Sequence, residues 1–179
     1  MNIFAIEKDP GDCARSMVDK HCVKMILETC QLLSTAHRLV DGEMYIGKTA
    51  TGRNVRRWRL PDDRETVLYS ATHINHPSAV WCRASNNNYN WLYYHLMALL
   101  SEYTHRYGKI HKCAGLAEAL ASPPHRIAVG YLTPVTPAMP DEYKVPGDTV
   151  ASYRNYYRIA KERMHKWTKR EAPEWINGL

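Results

Sequence analysis

A helically spaced set of polar residues near the N-terminus offers the clearest chemistry in this sequence. His21, Lys24, Glu28, Gln31 and Thr35 recur at three- and four-residue steps, which at about 100° per residue places them on one stripe of a helix. Inside a cleft, this stripe would supply an acid–base carboxylate, a cation and a hydrogen-bonding amide together. On a solvated face, it would be only an exposed surface with a Lys24–Glu28 pair, which stabilises a helix by about 0.2–0.5 kcal/mol.

A second candidate site lies in residues 73–83. His73 and His76 precede Pro77 at a predicted helix start, where free backbone N–H groups and the helix dipole favour an anion such as phosphate. Arg83 would add a bidentate contact to that anion. Alternatively, His76 caps the helix, or the two histidines hold a metal. No Asp, Glu or Cys at a suitable spacing completes a metal site, so we expect neither a metal nor another cofactor.

Two further segments combine basic residues with aromatic ones. Arg106 and Lys109 end a predicted helix, where the helix dipole favours cations whether or not a phosphate binds. Residues 152–170 interleave Tyr with Arg and Lys, which suits stacking on bases and neutralising phosphates. The candidate contacts in this segment are Arg154, Tyr157 and Arg158. Alternatively, the tyrosines belong to the core and the basic residues form their solvated reverse face.

Two long helices must position these residues. Apolar residues at helical spacing predict a helix over residues 13–38, which starts after Pro10. A second helix is predicted over residues 77–107, with the three asparagines at 86–88 as a potential break. Gly108 is the expected end of that helix, because glycine readily adopts the left-handed conformation that stops a helix.

The other segments are less regular. The expectations are a strand or extended arm at 1–6, a hairpin or irregular loop at 41–72, a short helix at 115–122, an extended proline-rich segment at 123–147, a last helix at 148–169 and a tail whose Trp175 packs back onto the fold. These elements predict a mainly α protein, with residues 1–179 forming a single compact domain of about four to six helices.

Composition narrows the class of protein. The 179 residues carry a net charge of +6, and 45% of them are apolar, which argues for a folded core and against disorder. No apolar run is long enough to span a membrane, and no signal peptide is evident. Five scattered cysteines without a CxxC motif favour a reducing, cytoplasmic compartment. One Phe against 12 Tyr and 5 Trp, beside the positive charge, points towards nucleic acid.

The segment DKHCVKMILE, from Asp19 to Glu28, resembles the first-helix motif of the endonuclease V-type pyrimidine-dimer DNA glycosylases. That family opens the motif with Asp-x-His and places its catalytic Glu nine residues after the Asp. The N-terminal MNIF, the segment from His76 to Trp81 and the basic aromatic SYRNYYR are similar to further family segments. The chain also resembles a small phage-encoded family with DKH-VKMI-E, QLLSTAHR, NHPS and MPDEYK motifs.

The resemblance implies a helical fold, duplex DNA as partner and an amine nucleophile. In the family, the α-amine attacks the sugar C1′, forms a Schiff base and then cleaves the strand by β-elimination. An α-amine suits this step because its ordinary pKa of about 7.7–8.0 leaves much of it neutral near pH 7–8. This chain has Asn2 where the phage enzyme exposes a Thr. Because Asn2 is bulky, we expect Met1 to be retained, with Lys20 or Lys24 as the alternative amine.

We therefore expect a DNA base-processing enzyme, a pyrimidine-specific glycosylase and abasic lyase, in the cytoplasm of a bacterial or phage-infected cell. The expected catalytic residues are Glu28, Met1, His21 and Lys24. The expected base pocket comprises Gln31, His37 and Arg38. The expected phosphate contacts are His73, His76, Arg83, Arg106, Lys109, Arg154, Tyr157 and Arg158. Two alternatives stay open: a group transferase that hypermodifies phage DNA bases, and a non-catalytic binder of nucleic acid or host protein.

Overall fold

The structure is a computed structural model that describes residues 1–178, and α-helices dominate it. The α-helices are α1 (Pro10–Ser16), α2 (Asp19–Asp41), α3 (Arg64–Val67), α4 (Pro77–Cys82), α5 (Asn86–Tyr107) and α6 (Thr149–Ala160). Two antiparallel strands, β1 (Glu43–Lys48) and β2 (Asn54–Arg59), form a hairpin between α2 and α3. Short 3₁₀ helices span Lys112–Leu116, Asp141–Tyr143, Glu162–Met164 and Glu174–Asn177. The predicted mainly α class is confirmed, and residues 41–72 contain the hairpin.

The core lies between the two long helices. Helix α5 packs against both α1 and α2, and Leu33, Leu92 and Leu96 are fully buried there. The first six residues form an extended arm without regular secondary structure, yet Ile3 and Ile6 are also fully buried. Because these side chains anchor the arm in the core, the N-terminus is held against the body of the protein.

The first predicted helix is in fact two helices. Met17 and Val18 between α1 and α2 are extended and fully buried. Side chains from distant segments replace the missing helical hydrogen bonds at this break. Arg106 donates to the carbonyl oxygen of Met17 at 2.8 Å, and the Trp167 indole donates to that of Ser16 at 2.9 Å. Residues 13–38 alone carry no sign of these partners, so the periodicity predicted one continuous helix.

The second predicted helix also divides, three residues before the expected asparagines. Helix α4 ends at Cys82, and Ser85 caps α5 by accepting a hydrogen bond from the Asn88 N–H at 3.1 Å. The asparagines at 86–88 form the first turn of α5 instead of interrupting it. Gly108 ends α5 with a left-handed φ of 65°, as predicted.

The C-terminal third is less helical than expected. Helix α6 ends at Ala160, well before the predicted end at residue 169. Residues 115–122 contain no α-helix; they hold the end of a 3₁₀ helix and turns. The proline-rich segment 123–147 contains no α-helix, as predicted, and includes turns at 125–126 and 146–147 and a 3₁₀ helix at Asp141–Tyr143. The Trp175 indole packs back and donates to Glu7 Oε1 at 2.8 Å.

Among the helices of residues 1–178, none combines the length and the apolar character that a membrane crossing requires.

Candidate active site

A cavity of about 280 Å³ lies where the N-terminal arm meets the first half of α2. Its lining comes from the arm, from α2 and from the segment at the end of α6. The lining residues are Met1, Asn2, Phe4, Lys20, His21, Lys24, Glu28, Lys161 and Met164. All four residues predicted to be catalytic are among them, so the fold brings Met1, His21, Lys24 and Glu28 together.

Glu28 is the centre of this arrangement. Only 8% of the residue is exposed. Its Oε2 accepts a hydrogen bond from the backbone N–H of Asn2 at 2.9 Å and lies 3.7 Å from the α-amine of Met1. Its Oε1 forms an ion pair with Lys24 Nζ at 3.0 Å. Both carboxylate oxygens are therefore oriented, and Oε2 faces the α-amine.

The Asn2 side chain holds the N-terminus in this position. Its Oδ1 accepts hydrogen bonds from the Ile3 N–H at 2.8 Å and from the Tyr153 hydroxyl at 2.8 Å. Its Nδ2 donates to the carbonyl oxygen of Ala138 at 2.8 Å. Phe4 follows with a left-handed φ of 55°, which bends the arm. No pattern in the sequence indicated this role for Asn2, because its partners lie more than 130 residues away in the chain.

His21 forms one wall of the cavity as a buried, neutral imidazole. Its ring stacks on Phe4 with centroids 4.2 Å apart, and its Nδ1 is 2.6 Å from the Tyr157 hydroxyl. Burial lowers the pKa of His21 to about 3, and the charges of Lys161 and Lys24 lower it further. His21 is therefore suited to hydrogen bonding and stacking near pH 7, whereas a cationic role is disfavoured.

Three lysines give the cavity a positive rim. Lys20 and Lys24 come from α2, and Lys161 follows α6 with its Nζ 4.5 Å from the centre of the Tyr156 ring. Within residues 1–178, Glu28 is the only acidic residue that lines this cavity. The rim therefore favours an anionic ligand such as a phosphodiester. Sequence analysis did not select Lys161, although it lies in the basic aromatic segment that was flagged.

His76 lies beside the same site, at the start of α4. Its Nδ1 accepts a hydrogen bond from the Ser78 N–H at 3.2 Å, so it caps the helix. Burial lowers its pKa, the charges of the α-amine and of His73 lower it further, and Glu28 opposes them. His73 is exposed and has a left-handed φ of 48°. His76 therefore caps the helix, which is one of the two alternatives that the sequence left open. It also lies close enough to the α-amine of Met1 for that charge to lower its pKa.

The residues predicted for a base pocket do not line this cavity. Gln31 is half-buried in the next turn of α2. Arg38 is buried, and its guanidinium donates hydrogen bonds to backbone carbonyl oxygens. It donates to Tyr69 O at 2.8 Å, to Trp58 O at 3.0 Å and to Leu68 O at 2.8 Å, and it pairs with Glu65. Arg38 therefore does not line the cavity around Glu28, and its base-pocket role stays a prediction.

His37 is also part of a closed network. Its Nε2 is 2.7 Å from the Tyr89 hydroxyl, and its Nδ1 is 2.8 Å from Arg64 Nη1. Arg64 in turn pairs with Asp41 at 2.7 Å. Burial lowers the pKa of His37 to about 4, and the Arg64 charge lowers it further. His37 therefore joins α2 to α3 and α5 and does not line the cavity around Glu28, so its base-pocket role stays a prediction.

Several predicted phosphate contacts are occupied inside the protein. The Arg106 side chain is fully buried and donates to Glu102 at 2.7 Å and to Asp19 at 3.0 Å. Arg154 pairs with Glu7, and Tyr157 is fully buried against His21. Arg106 and Tyr157 are enclosed by the fold, whereas the Arg154 side chain is 33% exposed although it is paired, so its predicted phosphate contact stays a prediction. For Arg106, the alternative of a structural role at a helix end is the one observed.

The remaining predicted contacts differ in accessibility. Lys109 is exposed at the end of α5. Arg83 is half-buried after α4, and its Nη1 has no hydrogen-bond partner within the described chain. Arg158 is half-buried and donates to Asn155 at 3.0 Å. His76, Arg83, Lys109 and Arg158 thus stay available as proposals, unlike the enclosed side chains.

The chain matches the family described as pyrimidine dimer DNA glycosylase over residues 1–114. That match covers well over half of the sequence and includes the arm, both long helices and Glu28. The protein therefore belongs to the pyrimidine dimer DNA glycosylase family, as the resemblance of its first-helix motif implied. Its membership supports DNA glycosylase activity in general, with DNA as the substrate. Searches of curated proteins and of solved structures found no match to the chain.

Proposed function

We propose that this protein is a DNA glycosylase with abasic lyase activity, which removes a damaged or modified pyrimidine from duplex DNA. The observation that carries the proposal is the α-amine of Met1 lying 3.7 Å from the buried carboxylate of Glu28, at the wall of an open cavity. A nucleophile beside a group that can take its proton is the usual signature of covalent catalysis.

The amine would act as nucleophile and Glu28 as the acid–base group. The nitrogen lone pair attacks C1′ of the sugar, and the bond between C1′ and the base breaks with its electron pair leaving on the base. Glu28 accepts the proton that the amine loses and can return a proton to later intermediates. Ring opening gives an imine between the protein and C1′. Loss of a proton from C2′ then expels the 3′ phosphate and cleaves the strand.

The other cavity residues would hold the substrate in place. Lys24 fixes the second carboxylate oxygen at 3.0 Å and, with Lys20 and Lys161, would neutralise phosphates next to the flipped nucleotide. The neutral imidazole of His21 would contact the sugar or base by hydrogen bonding. His73, His76, Arg83, Lys109 and Arg158 are proposed as further contacts to the backbone. No step of this scheme requires a cofactor.

The burial of Glu28 favours catalysis over the binding alternative. A non-catalytic binder would present its polar stripe on a convex exposed face, whereas Glu28 is only 8% exposed and borders a cavity. A buried carboxylate held by an amine, an amide N–H and an ammonium serves no obvious purpose in a surface that only grips phosphates. The same geometry supports amine chemistry more directly than a group-transfer reaction.

Borohydride trapping tests the proposal. The purified protein is incubated with duplexes that carry a thymine dimer, an abasic site or no damage, and sodium borohydride reduces any imine to a stable amine link. We expect a covalent complex with the first two duplexes and none with the third. No trapping and no strand cleavage on either modified duplex would overturn the proposal, even if the protein still binds DNA.

Peptide mass spectrometry of the trapped complex identifies the nucleophile. We expect the adduct on the Met1 amine. An adduct on Asn2 would show that Met1 is removed, and an adduct on a lysine would replace the proposed nucleophile. Lys20→Arg and Lys24→Arg are matched controls, because each keeps the charge but lacks an amine that can form an imine. Trapping should persist in both.

A further inference from the structure

The β1–β2 hairpin concentrates the positive charge of the protein. Its seventeen residues, 43–59, contain five basic side chains and one acidic side chain, a net charge of +4 out of the +6 of the whole chain. The basic residues are Lys48, Arg53, Arg56, Arg57 and Arg59. None of them lines the cavity around Glu28, so the proposed chemistry does not account for this charge.

These basic side chains are not neutralised by the protein itself. Within the described chain, none of the five forms an ion pair. Lys48, Arg53, Arg56 and Arg59 are exposed, and Arg57 is half-buried. Most other arginines that the fold needs, such as Arg38 and Arg106, are paired with carboxylates. The hairpin therefore presents uncompensated cations to an external partner.

The hairpin also exposes apolar and aromatic side chains between the cations. Met44, Tyr45 and Ile46 are 51%, 37% and 59% exposed. In the antiparallel register, Tyr45 lies opposite Arg57 and Ile46 lies opposite Arg56. Two large side chains of β1 thus lie directly opposite two arginines of β2. This composition resembles that of surfaces that contact both phosphates and the edges or faces of bases.

Two contacts arrange the arginines along the ribbon. The Arg59 guanidinium lies 5.0 Å from the centre of the Tyr45 ring. The Arg57 side chain crosses Gly47, where a Cβ would be only 2.9 Å from Arg57 Cδ. Because Gly47 has no side chain, Arg57 can lie flat across the neighbouring strand. These arginines are therefore held in position before any partner binds, which reduces the entropy lost on binding.

The base of the hairpin is fixed to the helix that carries Glu28. Arg38 of α2 donates to the carbonyl oxygen of Trp58 at 3.0 Å. Gly42 connects α2 to β1 so closely that a Cβ there would collide with the Arg38 carbonyl oxygen. The hairpin is thus attached directly to the helix that carries Glu28. At a rise of about 1.5 Å per residue, the hairpin begins about 20 Å from Glu28 along the helix axis.

We infer that the β1–β2 hairpin is a second DNA-binding element, which contacts phosphates of the duplex several base pairs away from the target nucleotide. This inference rests on the proposed function, since it assumes that DNA reaches Glu28. A separation of about 20 Å corresponds to about six base pairs at 3.4 Å each. A two-stranded ribbon fits the major groove, which is about 12 Å wide. Tyr45 and Ile46 are consecutive in β1 and lie on opposite faces of the ribbon, so one of the two would enter the groove while the arginines contact the strands that border it.

A charge-removing variant tests the inference. Arg53→Ala, Arg56→Ala and Arg57→Ala are combined, and binding to a long undamaged duplex is measured over a range of salt concentrations. Each lost phosphate contact lowers the slope of log K against log salt by about one, so we expect a loss of about two to three in the slope and an affinity weakened by about tenfold or more. The Lys version of the same triple variant should restore most of the affinity, because phosphate contacts depend chiefly on charge.

A matched triple variant controls for net charge. Lys8→Ala, Lys112→Ala and Lys144→Ala remove the same charge from exposed positions outside both the hairpin and the cavity. We expect it to keep nearly the wild-type salt slope. An unchanged slope in the hairpin variant, or an equal loss in the control, would overturn the inference. Circular dichroism and the urea midpoint confirm that both variants are folded.

Excision distinguishes this inference from the proposed function. On a duplex with only about four base pairs on each side of an abasic site, which is shorter than the distance to the hairpin, the hairpin variant should cleave as fast as the wild type. On a long duplex at low protein concentration it should cleave more slowly. If the wild type cleaves and the hairpin variant matches it on both duplexes, only the hairpin inference fails. If the wild type cleaves neither duplex, the proposed function fails.

Discussion

The two halves of helix α2 carry similar polar residues but have opposite environments. The first half contributes His21, Lys24 and Glu28 to a cavity that opens to solvent. The second half contributes His37, Arg38 and Asp41 to buried networks. A helical stripe of polar residues therefore does not identify a site by itself. Whether polar residues on the helix form a site depends on whether the neighbouring segment leaves a cavity beside them or packs against them.

The neighbours explain the difference. Beside the first half lies the N-terminal arm, which brings an α-amine and one buried backbone N–H to Glu28. Beside the second half lies the segment from the end of β2 through α3 to Tyr69, whose carbonyl oxygens need donors once they are buried. Arg38 satisfies four of these oxygens, in Trp58, Glu65, Leu68 and Tyr69. The same residue types thus serve chemistry at one end of the helix and architecture at the other.

The largest effect on excision is expected when the first half of α2 loses the carboxylate of Glu28. Glu28→Gln keeps the shape of the side chain but replaces one of its two accepting oxygens with an NH2 group and removes the proton acceptor, so we expect single-turnover excision to fall by about 10²- to 10⁴-fold. DNA affinity should change little. Single-turnover cleavage and equilibrium binding measure the two quantities separately. Wild-type turnover in Glu28→Gln would remove Glu28 from the mechanism.

Asp41→Asn is the matched control in the second half of α2. It removes one carboxylate from the same helix and breaks the 2.7 Å pair with Arg64. We expect the protein to lose stability while its folded fraction keeps its rate of excision. The comparison between the two halves would collapse if Asp41→Asn slowed the chemistry as much as Glu28→Gln does.

Among substitutions in the second half of α2, the replacement of Arg38 should reduce the stability of the protein most. Arg38→Met leaves the Glu65 carboxylate and several buried carbonyl oxygens without their donor, and breaking such a buried network costs about 3–5 kcal/mol. Urea denaturation measures the change in the free energy of unfolding. Arg53→Met removes an exposed arginine from the hairpin turn and should cost less than about 0.5 kcal/mol. Similar losses in the two variants would contradict the structural role of Arg38.

Local pattern was sufficient for much of this picture. Helical periodicity located the two long helices, and the spacing of Asp19, His21 and Glu28 located the cavity and the family. The breaks in both long helices were harder, because the first depends on Arg106 and Trp167 reaching Met17 and Ser16 from distant segments. A single sequence records no such pairing, so the residues predicted for binding included several that bind the protein's own backbone.

The hairpin shows the opposite limitation. Its basic residues were visible in the sequence, yet a charged segment of uncertain conformation gives no direction in space. The register of β1 and β2 and the anchoring of Trp58 by Arg38 supply that direction. The buried guanidinium of Arg38, which was predicted to lie in a base pocket, therefore fixes the position of the hairpin and of its exposed arginines.

Acidification should lower the free energy of unfolding through His37, in the second half of α2, over a defined range of pH. Burial lowers the pKa of His37 to about 4, and the neighbouring Arg64 charge lowers it further, with Asp41 and Asp62 opposing and His125 adding a smaller repulsion. An unfolded histidine titrates near 6.5. Between these values the unfolded chain binds a proton that the folded chain does not. The free energy of unfolding should therefore fall as the pH drops from 6.5 to 4, by about 1.4 kcal/mol per pH unit for each such histidine.

His37→Gln separates this contribution from the others. Glutamine can accept from Arg64 and donate to Tyr89 without titrating, so the slope of unfolding free energy against pH should decrease by about 1.4 kcal/mol per unit between pH 6.5 and 4. His95, whose pKa burial also lowers to about 4, and His21, lowered to about 3, keep the remaining slope. Burial raises the pKa of Asp41, but hydrogen bonds from the Arg64 side chain and from the His125 and Arg126 N–H groups outweigh this effect and hold the pKa below 3.8. An unchanged slope in urea titrations at several pH values would mean that His37 is protonated in the folded protein, in which case its contact with Arg64 could not persist.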